Sequence, residues 1–171
     1  MSRPPGGVVV RTVTGDDWEL FRRLRLAALQ DAPLAFGSTY EREVGRAEAE
    51  WRDRLGLPDG TRLIAYVGDE PAGIAGAYLR TEERDDGPVA ELVSMWVDPA
   101  HRTSGVGRVL VESVVDWVAG RGLPEVRLMV AAENQAAVRF YERLGFRRNG
   151  YTQPLPHDES RLEHEMVRSL D

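Results

Sequence analysis

Cysteine is missing from this chain of 171 residues. That excludes thiol catalysis, disulfides and thiolate-held metal sites, and it favours a cytoplasmic protein. Long apolar runs are missing as well, none approaching the ~20 residues that span a bilayer, so no membrane partner is expected. The opening stretch MSRPPGGVVV falls short of a signal-peptide core. Histidine is scarce: His101, His157 and His164 lie far apart without ligand spacing, so no metal is expected. A surplus of basic charge is also lacking. The formal net charge of −6 argues against a nucleic-acid partner, which needs a basic face. Its first consequence is solubility, and it also suits a cationic or amine partner through long-range attraction.

What is present fits one α/β domain over residues 1–171, with no internal repeat or linker. β-Branched Val8–Val13 reads as a strand. Thr14 with Asp17 opens a helix that stops near Ala32–Pro33. After the loop Pro33–Tyr40, a second helix is expected over Tyr40–Leu55. Thr61–Val67 and Ala72–Leu79 read as a hairpin, and Thr81–Pro88 as a charged, solvated turn. Ala90–Val97 is the next strand and Ser104–Ala119 the next helix, with an apolar face at Val106, Val109, Leu110, Val114 and Trp117. Val126–Ala131 is a strand, and Asn134 caps a helix through Leu144. Phe146–Tyr151 and Leu162–Leu170 close the chain as strands joined by a loop, Thr152–Ser160.

The segment VDPAHRTSGVGR, Val97–Arg108, stands between a strand and a helix. A glycine turn that opens a helix presents free N–H groups and the positive end of the helix dipole, the physics of a phosphate cradle. From His101 to Arg108 there are two arginines and no acid.

The element order and two motifs resemble the GCN5-related N-acetyltransferases, the GNAT family. Arg102-Thr103-Ser104-Gly105-Val106-Gly107 matches the family's Gln/Arg-x-x-Gly-x-Gly/Ala, and Asn134 through Phe146 matches its next motif. The specific likeness runs from about Glu91 to Phe146. It implies a mixed, mostly antiparallel sheet of about seven strands flanked by about four helices. It implies acetyl-CoA as co-substrate, an amine acceptor attacking directly in a ternary complex, and, as in many relatives, a homodimer.

Residue by residue, the resemblance assigns the coenzyme A pyrophosphate to the backbone of Arg102, Thr103, Ser104, Gly105, Val106 and Gly107. Arg108 either adds charge there or pairs with Glu112. The pantetheine arm would lie along Met95, Trp96 and Val97, and Asn134 would both cap its helix and touch the cofactor. Tyr141, a phenol with a pKa near ~10, would protonate the departing thiolate. Glu91, eleven positions before Arg102, stands where histone-type members place their base; a water relay is the alternative. The acceptor would sit between the Pro33–Tyr40 and Thr152–Ser160 loops, with Asp158 and Glu159 facing a cationic amine. A competing reading is a non-catalytic acyl-CoA-binding or sensing module, against which Tyr141 and Glu91 together argue. A dinucleotide oxidoreductase fits poorly: the glycine pair follows the fourth strand, and G-x-G-x-x-G is absent.

Overall fold

The computed structural model describes residues 7–170; residues 1–6, part of the stretch read above for a targeting signal, lie outside the described residues. Seven strands form one sheet in the order β1-β2-β3-β4-β5-β7-β6. They are β1 (Val8–Thr12), β2 (Gly60–Val67), β3 (Glu70–Arg80), β4 (Val89–Val97), β5 (Glu125–Ala131), β6 (Arg147–Leu155) and β7 (Asp158–Ser169). Every pairing is antiparallel except β4 with β5. Five helices flank it: α1 (Trp18–Asp31), α2 (Tyr40–Val44), α3 (Glu48–Leu55), α4 (Val106–Gly120) and α5 (Gln135–Arg143).

Each face of the sheet carries its own core. On one, α4 buries Val106, Leu110, Val111, Val114, Val115 and Val118 against Leu63, Ala75, Leu92 and Leu128. Each fully buried side chain of that size is worth about 1.5–3 kcal/mol over exposure. One face therefore holds α4 firmly while its first turn stays free for other bonds. On the opposite face Phe21, Leu24, Leu29 and Trp51 pack on Ile64, Ile74 and Trp96. β3 is covered on both sides, and Ala72, Ile74, Ala75 and Ala77 are all inaccessible. That is why its sequence reads as a continuous apolar run rather than an alternation.

Three expectations need correction. The single helix over Tyr40–Leu55 is two: the chain breaks at Gly45, and Ala47 is extended before α3 begins. The break lets Glu43 turn to Arg25 and Arg46 while Trp51 turns into the core. The helix expected from Ser104 starts at Val106, because Gly105 takes a left-handed φ of 80°. The Thr152–Ser160 loop is largely strand. β6 runs on to Leu155, and β7 begins at Asp158 with Thr152 opposite His164 and Gln153 opposite Glu163. Polar, Pro-containing residues on the sheet's edge carry little apolar alternation, so the ladder rather than local preference holds them extended.

Candidate active site

The turn after β4 is built from local bonds. Asp98 accepts from the Ala100 N–H at 2.9 Å, and the Ser104 hydroxyl donates to the His101 carbonyl at 2.7 Å. The two glycines act for different reasons. Gly105 supplies the positive φ, with open space where a Cβ would stand. At Gly107 a Cβ would come within 3.0 Å of Phe140 Cζ and 3.3 Å of Met95 Cε, so its absence lets α4 sit close to β4 and α5. Among the described residues, the amides of Gly105, Val106, Gly107 and Arg108 donate to no other backbone group. They are the unpaired donors of a helix start.

The two cradle arginines differ. Arg102 is committed: its Nε donates to the Val97 carbonyl at 3.1 Å, and its Nη2 pairs with Asp31. The Trp96 indole N–H, at 2.9 Å, and then Arg102 hold Asp31 below the usual carboxylate range. Asp31 thereby pins the turn to the end of α1. Arg108 has no ion pair among the described residues, since Glu112 is taken by Arg168 at 2.9 Å. Its pairing with Glu112 is set aside, and its charge stays available beside the turn.

β4 and β5 pair only from Ala90–Val126 to Leu92–Leu128, then part. The register with β3 slips between Ile74 and Gly76, opposite Ser94, whose φ is 58°. This bulge kinks β4 at the point of divergence. Beyond it, Met95, Trp96 and Val97 present one backbone edge with no partner on the β5 side. Parted strands, the bare glycine turn and the uncommitted Arg108 fit an extended thioester carrier ending in a pyrophosphate. Asn134 caps α5 by accepting from the Ala137 N–H at 3.1 Å.

A cleft of about 390 Å³ opens at the parting. Tyr141 reaches it from α5, held edge-on between Phe140 at 5.2 Å and Phe146 at 5.7 Å. Burial raises its phenol pKa, so it stays protonated across the working range. Glu91 also lines the cleft, 8% exposed, and accepts from the Tyr78 hydroxyl at 2.5 Å. Burial is the largest influence on it and raises its pKa, against the opposing effect of Tyr78 and Arg80.

Glu163 was not foreseen. It lines the same cleft and accepts from Gln153 Nε2 at 2.7 Å; burial raises its pKa, the Gln153 bond opposes that, and the nearby Glu91 charge adds to the rise. The signal for it lay in the spacing Glu163, Glu165 along β7, which puts both carboxylates on one face. Conversely, Asp158 is tied to Ser160 and Arg161 at the β6–β7 turn, and neither it nor Glu159 lines the cleft. The expectation that these two face the acceptor is corrected: the acids of the cleft wall are Glu82, Glu91 and Glu163. The two segments, Pro33–Tyr40 and Thr152–Ser160, meet at the cleft. His157 Nε2 is hydrogen-bonded to the Phe36 carbonyl at 2.7 Å, and Ala35–Ser38, Gln153 and Pro156 line the cleft.

The charged Thr81–Pro88 turn is exposed over most of its length, as expected, but two of its side chains reach back to the sheet. Asp85 is 1% exposed, paired with Arg80 and Arg127, and Arg84 reaches Glu165 at 2.8 Å. The turn is folded down onto carboxylates that local sequence did not reveal.

Comparison with known proteins bears on this arrangement. The family model described as the acetyltransferase (GNAT) family matches residues 23–146. A mycothiol acetyltransferase of Rhodococcus erythropolis is 35% identical over 150 residues, covering 84% of this chain and 48% of that protein. The chain thus spans about half the length of the curated relatives it matches. Among solved structures, a GCN5-related N-acetyltransferase from Kribbella flavida superposes with a TM-score of 0.73 at 26% identity, covering 97% of this chain and 99% of that one. A GNAT-family acetyltransferase from Streptococcus pneumoniae gives 0.75 at 21% identity, covering 95% and 99%.

Proposed function

The chain belongs to the acetyltransferase (GNAT) family, and we propose that it is an N-acetyltransferase that moves an acetyl group from acetyl-CoA to a primary amine by direct attack. The single observation that carries this is the parting of β4 from β5 beside a helix start with unused amides, opening onto a cleft that holds both a protonated phenol and raised carboxylates.

Acetyl-CoA supplies the activated acyl group. The residues of this chain bind, orient and move protons. The amides of Gly105 through Arg108, with the Arg108 charge, hold the pyrophosphate, and the turn Arg102–Ser104 shapes that seat. Met95, Trp96 and Val97 offer backbone to the pantetheine arm, and Asn134 closes its other side. Holding the two reactants in line is worth ~7–11 kcal/mol of barrier. Glu91 takes the amine proton, directly or through water, because its raised pKa brings its basicity toward that of the working pH. Tyr141 gives a proton to the departing sulfur. The reading carries with it a cytoplasmic homodimer acting without nucleic acid or membrane. Among the described residues no helix is long and apolar enough to cross a bilayer.

The test is release of the coenzyme A thiol in the presence of small amines, peptides and aminoglycosides. Tyr141→Phe should lower kcat by ~100-fold while calorimetry finds coenzyme A affinity nearly unchanged. Release at the blank rate across the whole panel would refute acetyl transfer.

A further inference from the structure

One guanidinium in the cleft has no role in the chemistry above. Arg25, Arg62 and Arg84 all line it. Arg25 is clamped by Glu43 through Nε at 3.0 Å and Nη2 at 2.9 Å. Arg84 is clamped by Glu165 through Nη1 at 3.1 Å and Nη2 at 2.8 Å. Arg62 has no carboxylate partner among the described residues. Its Nη1 donates to the carbonyls of Thr61 at 2.9 Å and Ala77 at 3.3 Å. Its Nε and Nη2 form the edge that grips a planar oxyanion with two parallel bonds, and neither donates to a group among the described residues. Burial, and then the positive fields of Arg25 and Arg54, press its pKa down. An anion arriving at that edge would relieve both.

The position of this side chain is built into the sheet. Arg62 lies opposite Gly76 in the β2–β3 ladder. A Cβ on Gly76 would stand 2.8 Å from Arg62 Cδ and 3.0 Å from its Nη1. The arginine therefore lies flat across β3 only because residue 76 has no side chain. A Cβ on Gly60 would approach within 3.1 Å of the Ala77 carbonyl that fixes Nη1. On the same face, the next cross-strand pair toward the cleft is Tyr78 opposite Glu91. The cleft wall thus passes from a cation without a counter-ion to Glu91 and Glu163. A molecule with an amine at one end and an anion at the other matches both.

We infer that Arg62 is an oxyanion seat of the acceptor site and that the acceptor is an amine that also carries a carboxylate. A carboxylate balances one guanidinium. A phosphate, with ≈ −1.5 to −2 charge, would remain partly uncompensated among Glu82, Glu91 and Glu163. The inference rests on the acetyl-transfer reading for which end reacts, but the seat itself is a matter of binding.

Two measurements separate these. First, acetyl transfer is compared for L-methionine, L-phenylalanine and L-glutamate, their α-carboxamides, and O-phosphoethanolamine, with the wild type, Arg62→Met and Arg62→Lys. The acids should exceed their carboxamides in kcat/KM by about 10–100-fold. That ratio should collapse toward unity in Arg62→Met and persist in part in Arg62→Lys, which keeps the charge but loses the fork. Second, the N-acetyl forms of the same acids and carboxamides are titrated calorimetrically into the protein with coenzyme A. The acids should bind tighter by a similar factor, lost in Arg62→Met. Tighter binding of the acids without any transfer would leave the seat standing and remove the acetyl-transfer reading. Equal binding of acid and carboxamide, an unchanged ratio in both variants, or preference for O-phosphoethanolamine would overturn the inference, and transfer to neutral amines would then leave the enzyme reading intact.

Discussion

Glu163 and Glu165 stand two residues apart on the same face of β7, both buried, yet the fold treats them oppositely. Burial alone would raise Glu165, but Arg84, Asn149 at 2.7 Å and Arg127 surround it and hold it below the usual carboxylate range. Arg80 adds a further bond at 3.0 Å. Glu163 has the Gln153 amide and no arginine, and burial raises it. Glu91, which lines the same cleft, is raised for the same reason. The difference is the number of donors, not the residue type or the depth. A carboxylate saturated with guanidinium groups is fixed as an ion and holds structure together. One that is buried and under-supplied can exchange a proton, which is what a reaction needs.

The largest break in this contrast should come from Glu165→Ala. Removing the anion takes from Arg80, Arg84 and Arg127 a fully buried carboxylate that all three share, which should cost about 3–5 kcal/mol, or a Tm lower by roughly 6–20 °C. Denaturant unfolding would read it directly, and a loss under ~1 kcal/mol would mean that the network does not bind the Thr81–Pro88 turn to the sheet.

Glu91→Gln should do the reverse, lowering kcat/KM by about 100-fold while leaving stability at pH 8 unchanged or up to ~1 kcal/mol higher. It should also remove the rising limb of kcat/KM against pH. If that limb stays, proton removal goes through water alone.

The pH dependence of stability sharpens the comparison further. The folded-state pKa of Glu165 lies below its unfolded value, so its contribution is complete above the unfolded value and fades as acid protonates it through the folded one. Glu91 and Glu163 have folded values above their unfolded ones, so they cost stability at neutral and higher pH, and that cost disappears as pH falls through the folded values. Urea titrations of Glu91→Gln and wild type should therefore converge on acidification.

The smallest effect belongs to Glu163→Gln. Taking away a neighbouring negative charge should move the rising limb of the wild-type profile to lower pH, with kcat changed by less than ~10-fold. Loss of the limb would show that Glu163, rather than Glu91, carries the titrating proton.

The order of elements, the buried line Val106, Leu110 and Val114 of α4, and the glycine turn were legible because each rests on local rules: helical spacing, a cap, a residue free to take positive φ. The motifs around Gly105 and Asn134 extended that legibility to the family and to the turn and cap that open α4 and α5. The Tyr40–Leu55 break was not legible, since it answers to Arg25 and Trp51's core pocket, both distant in sequence. Nor were the extension of β6 and β7 and the burial of Asp85, which long-range pairing imposes.

Composition and local pattern thus determined that Val97–Arg108 would carry a glycine turn opening a helix. Only the tertiary structure decided which way the pKa of Glu91, Glu163 and Glu165 moves and which arginines are paired. Arg102 and Arg108 look alike in the chain, but one meets Asp31 and the other has no ion pair among the described residues. Arg25 and Arg62 differ in the same way, because Glu43 reaches one and only carbonyls reach the other. A side chain's ionisation and its vacancy for a ligand depend on the donors, acceptors and water within a few ångströms of it. Those neighbours come from strands and helices tens of residues away, so folding alone brings them together.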